Sequence, residues 1–342
     1  MATLFDPLNV AQMTMKNRIV MPPIATELSD SRGQVTDALV TYYRQRAAGV
    51  GLVIVEHAYV APEGKKSPRQ LGIHDDALLK GLMSLADSIH GEGTPVCIQI
   101  DHAGGEADSS ISGCQAVCPS AVTDKISARP PRELKKPEIE QVVTLFAEAT
   151  LRARAAGFDA VEVQGGEGYL LSQFTSPLSN KRTDDYGCTF EGRMRFPIQV
   201  VKAIREALGP KFPVLYRLDE GQRHDLTIGQ SQYFAKRLVE AGVSLVNVST
   251  VLIRNSFVES TAQEYTLSLA RKIKEVVNTP VGFAVTSDPE FADEAIKTGN
   301  IDLAGIGMFS NNKYLQICDF GCRVQTAFRL ETCQYMDNNK NE

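Results

Sequence analysis

Polar side chains stand at the downstream ends of a series of short apolar runs. They are Thr26, His57, Gln99, Asp101, His102, Gln164, Glu167, Tyr169, Arg217, Asp219 and Ser249, with Met308 closing the last run. Their types limit the chemistry. The set offers amides, one guanidinium and one phenol, but no His/Asp/Glu cluster at metal-ligand spacing. Neither a phosphate-binding lysine loop nor a serine nucleophile turn is present. Such groups suit a planar cofactor with a polar edge. Gln99 could exchange two hydrogen bonds with it, and Arg217 could meet an anion growing on it.

The runs that must position these residues are Arg18–Ile24, Leu52–Val60, Pro95–His102, Ala160–Gly166, Pro213–Asp219, Leu245–Thr250, Pro280–Val285 and Leu303–Met308. Most are almost continuously apolar, as expected of parallel strands covered on both faces. Segments of helical period separate them. Asp75–His90 spaces Leu78, Leu82 and Leu85 along one face and closes at Gly91. Lys136–Ala156 opens with Pro137 in its first turn and stops at Gly157. Thr227–Ala241 and Asp288–Thr298 end on Gly242 and Gly299, where a left-handed cap fits. Eight strands alternating with helices predict an α/β fold, a closed (β/α)8 TIM barrel with a short C-terminal extension. An open doubly wound sheet is the alternative, but no run leads into the glycine-rich dinucleotide turn. The expected division is a barrel over 1–312 and a cysteine-containing tail over 313–342. A long polar loop, Gly104–Arg132, follows the third run.

Length alone leaves the domain count open. At about 150 residues per domain, 342 residues make roughly two, yet one α/β barrel often takes 250 or more. A net charge of −5 gives no electrostatic reason to bind nucleic acid or an anionic membrane. Seven cysteines over this length are not a secreted disulfide framework. Met1–Asn17 lacks the layout of a signal peptide, and no apolar run reaches about 18 residues. These features lead to the expectation of a cytoplasmic protein acting on a small molecule, with a homo-oligomer or a partner redox subunit both open.

Several blocks carry a family resemblance. They are Asn17-Arg18-Ile19-Val20-Met21, Gln99 with His102-Ala103-Gly104, and Pro119-Ser120-Ala121. The longest runs from Gly165-Gly166-Glu167-Gly168-Tyr169 through Asn180-Lys181-Arg182-Thr183-Asp184 to Gly192-Arg193-Met194-Arg195-Phe196. In this order the blocks resemble the old yellow enzyme family of NADH:flavin oxidoreductases over nearly the whole chain. Glu167 before Gly168-Tyr169, with Tyr216-Arg217-Leu218, is most similar to the 2,4-dienoyl-CoA reductase and 2-enoate reductase branch.

The resemblance implies FMN at the barrel mouth, reduced by NADH or NADPH, and hydride transfer to an activated C=C bond of an α,β-unsaturated carbonyl or dienoyl-type substrate. It implies cofactor contacts from Pro23, Ile24, Ala25, His57, Gln99, Arg217, Gly282, Ala284, Gly307 and Met308. Tyr169 would donate a proton to the substrate's α-carbon, and Gln164 and Glu167 would face the substrate. Each residue also has a plainer reading. Gln99 could bond neighbouring strands, Arg217 could pair with a carboxylate, and Tyr169 could simply pack. His57 either leans on the flavin or caps its strand. His102 reads as an orienting or core histidine, and Lys181, Arg182, Asp184 and Asp185 read as a salt-bridged structural loop.

The chain departs from the family in six places. Gln164 and Glu167 replace the usual pair of hydrogen-bond donors to the substrate carbonyl. No histidine lies between Thr250 and Thr266, where the dienoyl-CoA branch supports its tyrosine. Met308 stands where a phosphate-clamping arginine is usual, and Gly105 where another arginine is usual. Cys318, Cys322 and Cys333 resemble three of the four ligands of a 4Fe–4S cluster, which reads as a degenerate remnant or a site completed from elsewhere. The chain ends at Glu342, where larger relatives continue into further flavin and nicotinamide domains. A second expectation therefore stands beside the first: a non-redox or flavin-poor barrel, an isomerase or a binding subunit of a larger complex.

Overall fold

The computed structural model describes residues 1–122, 130–219, 225–249, 259–286 and 289–306. Gly307, Met308, Cys318, Cys322 and Cys333 lie outside the described residues, as do the proposed tail and the side chain of Ala284.

Each of the eight apolar runs contains one strand of a closed parallel barrel. The strands are Ile19–Met21, Leu52–Tyr59, Val96–Asp101, Ala160–Gln164, Val214–Leu218, Leu245–Val248, Val281–Thr286 and Leu303–Ile306. They hydrogen-bond in chain order, and the eighth returns to the first. The first strand stops early because Pro22 and Pro23 follow it and have no N–H to give a ladder.

Strand periodicity sorts the side chains. Val53, Val55 and Ala58, like Val161, Val163, Val214, Tyr216, Val246 and Val248, face outward to the main core under the helices. Leu52, Ile54, Cys97, Ala160, Leu215, Leu245 and Leu303 face inward near the strand starts. There they pack on Val10, Met13 and Met15 of a hairpin, Leu8–Val10 paired with Met13–Met15. This hairpin, whose strands are too short to read from periodicity, plugs the N-terminal end. Two residues further along each strand, the same inward parity gives Gln99, Glu162, Arg217 and Asn247; a further two give Asp101, Gln164, Asp219 and Ser249. The barrel is thus apolar below and polar at the mouth, where TIM-barrel chemistry is built.

The four helices read from periodicity are present. Lys136–Ala155, Ile228–Ala241 and Pro289–Lys297 match within a residue or two, while Asp75 instead caps a 3-10 turn that leads into Leu79–His90. Thr227 and Gln230 form a capping box. Gly157, Gly242 and Gly299 take φ of 88°, 115° and 73°, as left-handed caps require. Three further outer helices are Asp37–Ala47, Phe190–Leu208 and Glu259–Lys274. The second encloses Pro197, which weakens its sequence signal, and the first buries only a narrow stripe, Leu39, Tyr43 and Ala47. Within the long loop after the third strand, Val117–Cys118 pairs in parallel with Arg132–Glu133. No helix among the described residues is long and apolar enough to cross a membrane.

Candidate active site

A buried polar floor lies at mid-height in the barrel. Gln99 and Glu162 are directly opposed on the third and fourth strands, and Gln99 Nε2 donates to Glu162 Oε1 at 2.7 Å. The other oxygen of Glu162 accepts from Asn247 Nδ2 at 2.8 Å. Glu162 has no exposed surface. Burial raises its pKa, against the opposing pull of Arg217, Asn247 and Gln99. Gln99 therefore does bond neighbouring strands, yet its Oε1 makes no hydrogen bond among the described residues. Gly282 lies beside Asn247 in register, and a Cβ there would meet Asn247 Oδ1 at 3.0 Å.

Arg217 occupies the layer above. Its Nε donates to Ser249 Oγ at 3.3 Å, and its Nη2 pairs with Glu167 Oε1 at 2.5 Å. The guanidinium is almost enclosed, with 8% side-chain exposure, whereas Glu167 is 37% exposed. Gln164 Oε1 accepts from the Gly166 amide at 3.1 Å, and its Nε2 lies 3.5 Å from Glu167 Oε2.

The loop after the fourth strand owes its path to its glycines. A Cβ on Gly165 would lie 2.1 Å from the Tyr216 ring. Glu167 itself takes φ of 59°, uncommon for a side chain with a Cβ. Asp219 holds it there by accepting the Glu167 amide at 2.5 Å. Gln173 then ties this loop to the one after the third strand. It accepts from the Gly105 amide and donates to the Ala103 and Gly168 carbonyls.

Tyr169 is the product of these constraints. It is 8% exposed, and its hydroxyl makes no hydrogen bond among the described residues. Burial pushes its pKa up, with Asp101 and Glu167 adding to the effect. Its ring contacts the His57 ring, centroids 5.6 Å apart, and Lys66 Nζ stands 5.2 Å from its centroid.

The second strand contributes Glu56 and His57 through a bulge. Val55 pairs with Ile98 but Ala58 with Ile100, so one extra residue enters the strand. Glu56 accepts the Thr26 amide at 2.8 Å, and burial raises its pKa. His57 Nδ1 lies 3.2 Å from Asp101 Oδ2. Pro23 and Ile24 are half-buried and Ala25 is exposed on the neighbouring rim.

His102 sits away from this group. Its Nδ1 accepts the Gly104 amide at 3.0 Å, its ring packs on Gly64, and its buried Nε2 has no partner among the described residues. Burial lowers its pKa. That geometry agrees with an orienting core residue. Arg182 is also structural: it pairs with Asp184 at 2.7 Å and donates to the Pro119 and Leu134 carbonyls. No group of three or more metal-ligating side chains occurs among the described residues.

Sequence reasoning missed Glu56, Glu162, Asn247 and Gln70. The inward parity between Ala160 and Gln164 marks Glu162 in the sequence, and likewise Asn247 between Leu245 and Ser249. Gln70 lies in a loop and carries no such signal.

A closed (β/α)8 barrel thus gathers amides, a guanidinium and a phenol at one mouth. The chain belongs to the NADH:flavin oxidoreductase / NADH oxidase family, whose model matches residues 3–316. It is 39% identical over 314 residues to an NADH oxidase of Thermoanaerobacter brockii, covering 89% of this chain and 48% of that protein. A metal reductase of Desulforamulus reducens is 34% identical over 318 residues, covering 90% and 47%. The chain spans about half the length of these curated relatives. Among solved structures, a 2-naphthoyl-CoA reductase complex superposes with TM-score 0.84 at 27% identity, covering 89% of this chain and 50% of that one. Morphinone reductase gives 0.80 at 26% identity, covering 90% and 86%. The old yellow enzyme homologue of Zymomonas mobilis gives 0.81 at 25%, covering 97% and 94%.

Proposed function

We propose that this protein is an FMN-dependent ene-reductase, reduced by NADH or NADPH and acting on an activated C=C bond of an α,β-unsaturated carbonyl or dienoyl-type substrate. The observation that carries this reading is the presence, at one barrel mouth, of an enclosed Arg217 and a Tyr169 hydroxyl that makes no hydrogen bond among the described residues. Bound FMN would supply hydride to the β-carbon.

The donor set fits that cofactor. Gln99 keeps an amide oxygen and one N–H for a pyrimidine edge. Arg217 offers charge in a water-poor layer, where a fixed cation stabilises a growing anion best. Pro23, Ile24 and Ala25 provide an apolar rim, with His57 and Gly282 on the adjoining strands. Tyr169 holds the proton for the α-carbon. Its raised pKa keeps it protonated at neutral pH, as a general acid must be. Gln164 and Glu167 border the space a substrate carbonyl would fill, and Gln164 Nε2 is the donor of the two.

One observation favours the second reading, a flavin-poor isomerase or binding subunit: Glu167 already satisfies Arg217. The visible spectrum of anaerobically purified protein decides between them. The ene-reductase reading expects yellow protein whose flavin absorbance is bleached by NADH or NADPH and restored by an enone. Colourless protein that takes up no added FMN overturns it. Iron analysis of the same sample tests Cys318, Cys322 and Cys333, and the remnant reading expects no stoichiometric iron.

A further inference from the structure

The bulge that inserts one residue into the second strand also changes what His57 can reach. Past it, Tyr59 rather than Ala58 stands opposite Asp101, and the His57 imidazole meets the Asp101 carboxylate, Nδ1 to Oδ2 at 3.2 Å. Asp101 has no exposed surface. Its second oxygen accepts from Gln70 Nε2 at 3.0 Å. The orientation of Gln70 is fixed, because its Oε1 accepts the Lys66 amide at 2.8 Å. Gln70 Nε2 also lies 2.7 Å from His57 Nδ1 and 3.3 Å from the His57 carbonyl. Nδ1 therefore stands between an amide donor and a buried carboxylate: it accepts from Gln70 when the ring is neutral, and donates to Asp101 in a charge-assisted bond when the ring is protonated. His57 Nε2 makes no hydrogen bond among the described residues, and the ring rests against Tyr169.

We propose that the His57–Asp101 pair is a positioning device for the Tyr169 acid: it holds a positive imidazolium against the tyrosine and balances the phenolate left when the proton departs. This rests on the ene-reductase reading above. In the step, the Tyr169 O–H bond breaks and its proton bonds to the α-carbon through the electron pair of the C=C bond, while the hydride forms the bond at the β-carbon. Tyr169 regains its proton from solvent, and His57 acts through charge alone.

The groups facing His57 come from several elements. Glu56 is its neighbour on the second strand, Asp101 ends the third, and Glu167 and Tyr169 follow the fourth. Gln70 comes from the loop after the second strand, and Lys66 of the same loop stands over Tyr169 rather than His57. Burial pulls the imidazole pKa down, but Asp101, Glu56 and Glu167 together outweigh it and raise it. An opposite charge at this range changes a proton-binding equilibrium by about tenfold or more.

Two measurements on the full chain test the pair. The first is a nitrogen-15 NMR titration of the five histidines, with His57→Gln assigning the signal. His57 should titrate above the ordinary imidazole midpoint, and Asp101→Asn should lower its midpoint by at least tenfold in proton concentration. The second is the rate of C=C reduction against pH. Wild-type rate should fall as pH rises through the His57 midpoint; His57→Gln should be about ten- to a hundredfold slower and lack that limb. A His57 midpoint at or below the ordinary value overturns the proposal. So does a His57→Gln enzyme that is slow but keeps the limb, which would mark a purely structural residue. Should His57→Gln fail to fold, Asp101→Asn carries both readouts. A colourless protein inactive on enones would overturn the ene-reductase reading, while the NMR titration would still judge the pair.

Discussion

Replacing Glu167 by Gln separates the two demands placed on Arg217. In the wild type, the enclosed guanidinium leans on Glu167 at 2.5 Å and on the neutral Ser249 hydroxyl at 3.3 Å. The Gln side chain keeps an oxygen that accepts from Arg217, so only the charge is removed. With charge centres about 4 Å apart, that attraction is worth about 4 kcal/mol at an effective dielectric near 20 and about 1 kcal/mol in water. Glu167 is 37% exposed, which moves the figure toward the lower end. A cost of about 1–2 kcal/mol follows, and for a chain this size it lowers the melting temperature of the flavin-free protein by roughly 2–6 °C. Flavin binding should move the opposite way. Arg217 would then offer its full charge to the ring, and a gain of about 1.4 kcal/mol is a tenfold lower Kd. Differential scanning fluorimetry with and without FMN, together with fluorescence titration, reads both effects. A variant as stable as wild type that binds FMN no more tightly refutes this account of Arg217.

The other predictions concern the parts that hold the site. Gly165→Ala would drive a methyl into the Tyr216 ring at 2.1 Å; a cost of about 1–3 kcal/mol is expected in the urea midpoint, with loss of turnover because the Glu167–Tyr169 loop must shift. Arg182→Met would strip the Pro119 and Leu134 carbonyls of their donor and leave Asp184 unpaired; a loss of about 3–5 kcal/mol is expected, read by chemical denaturation. Tyr169→Phe should slow enone reduction by about a hundredfold or more in stopped-flow reoxidation. His57 also links stability to pH. Its pKa is raised on folding from the ordinary 6.5, so the native state retains a proton that the unfolded chain releases. That contribution is fully present below 6.5 and is lost as pH rises through the folded midpoint. Asp101→Asn should flatten this slope in melting curves taken from pH 6 upward.

The architecture was legible because a parallel barrel repeats one local pattern. Runs such as Leu52–Val60 and Pro95–His102 are too apolar to have either face in water, and caps such as Gly157 and Gly242 end helices by backbone geometry alone. The order of the strand ends alone puts Gln99, Gln164, Arg217 and Ser249 at one mouth, since every strand of such a barrel points the same way. The N-terminal hairpin and the helix around Pro197 were not legible, the first too short for a period and the second carrying a helix breaker inside it.

Sequence by itself therefore determined the barrel, the family and the set of polar side chains at its catalytic face. Tertiary structure alone decided which of them meet. Glu167 reaches Arg217 only because a left-handed residue held by Asp219 turns its loop inward. His57 reaches Asp101 because one extra residue in the second strand shifts the register, and Gln70 joins them from a loop with no sequence signal. Periodicity specifies which face a residue occupies. Pairing across strands depends on bulges, on positive-φ turns and on glycines where two backbones touch, and these arise from the packing of distant segments.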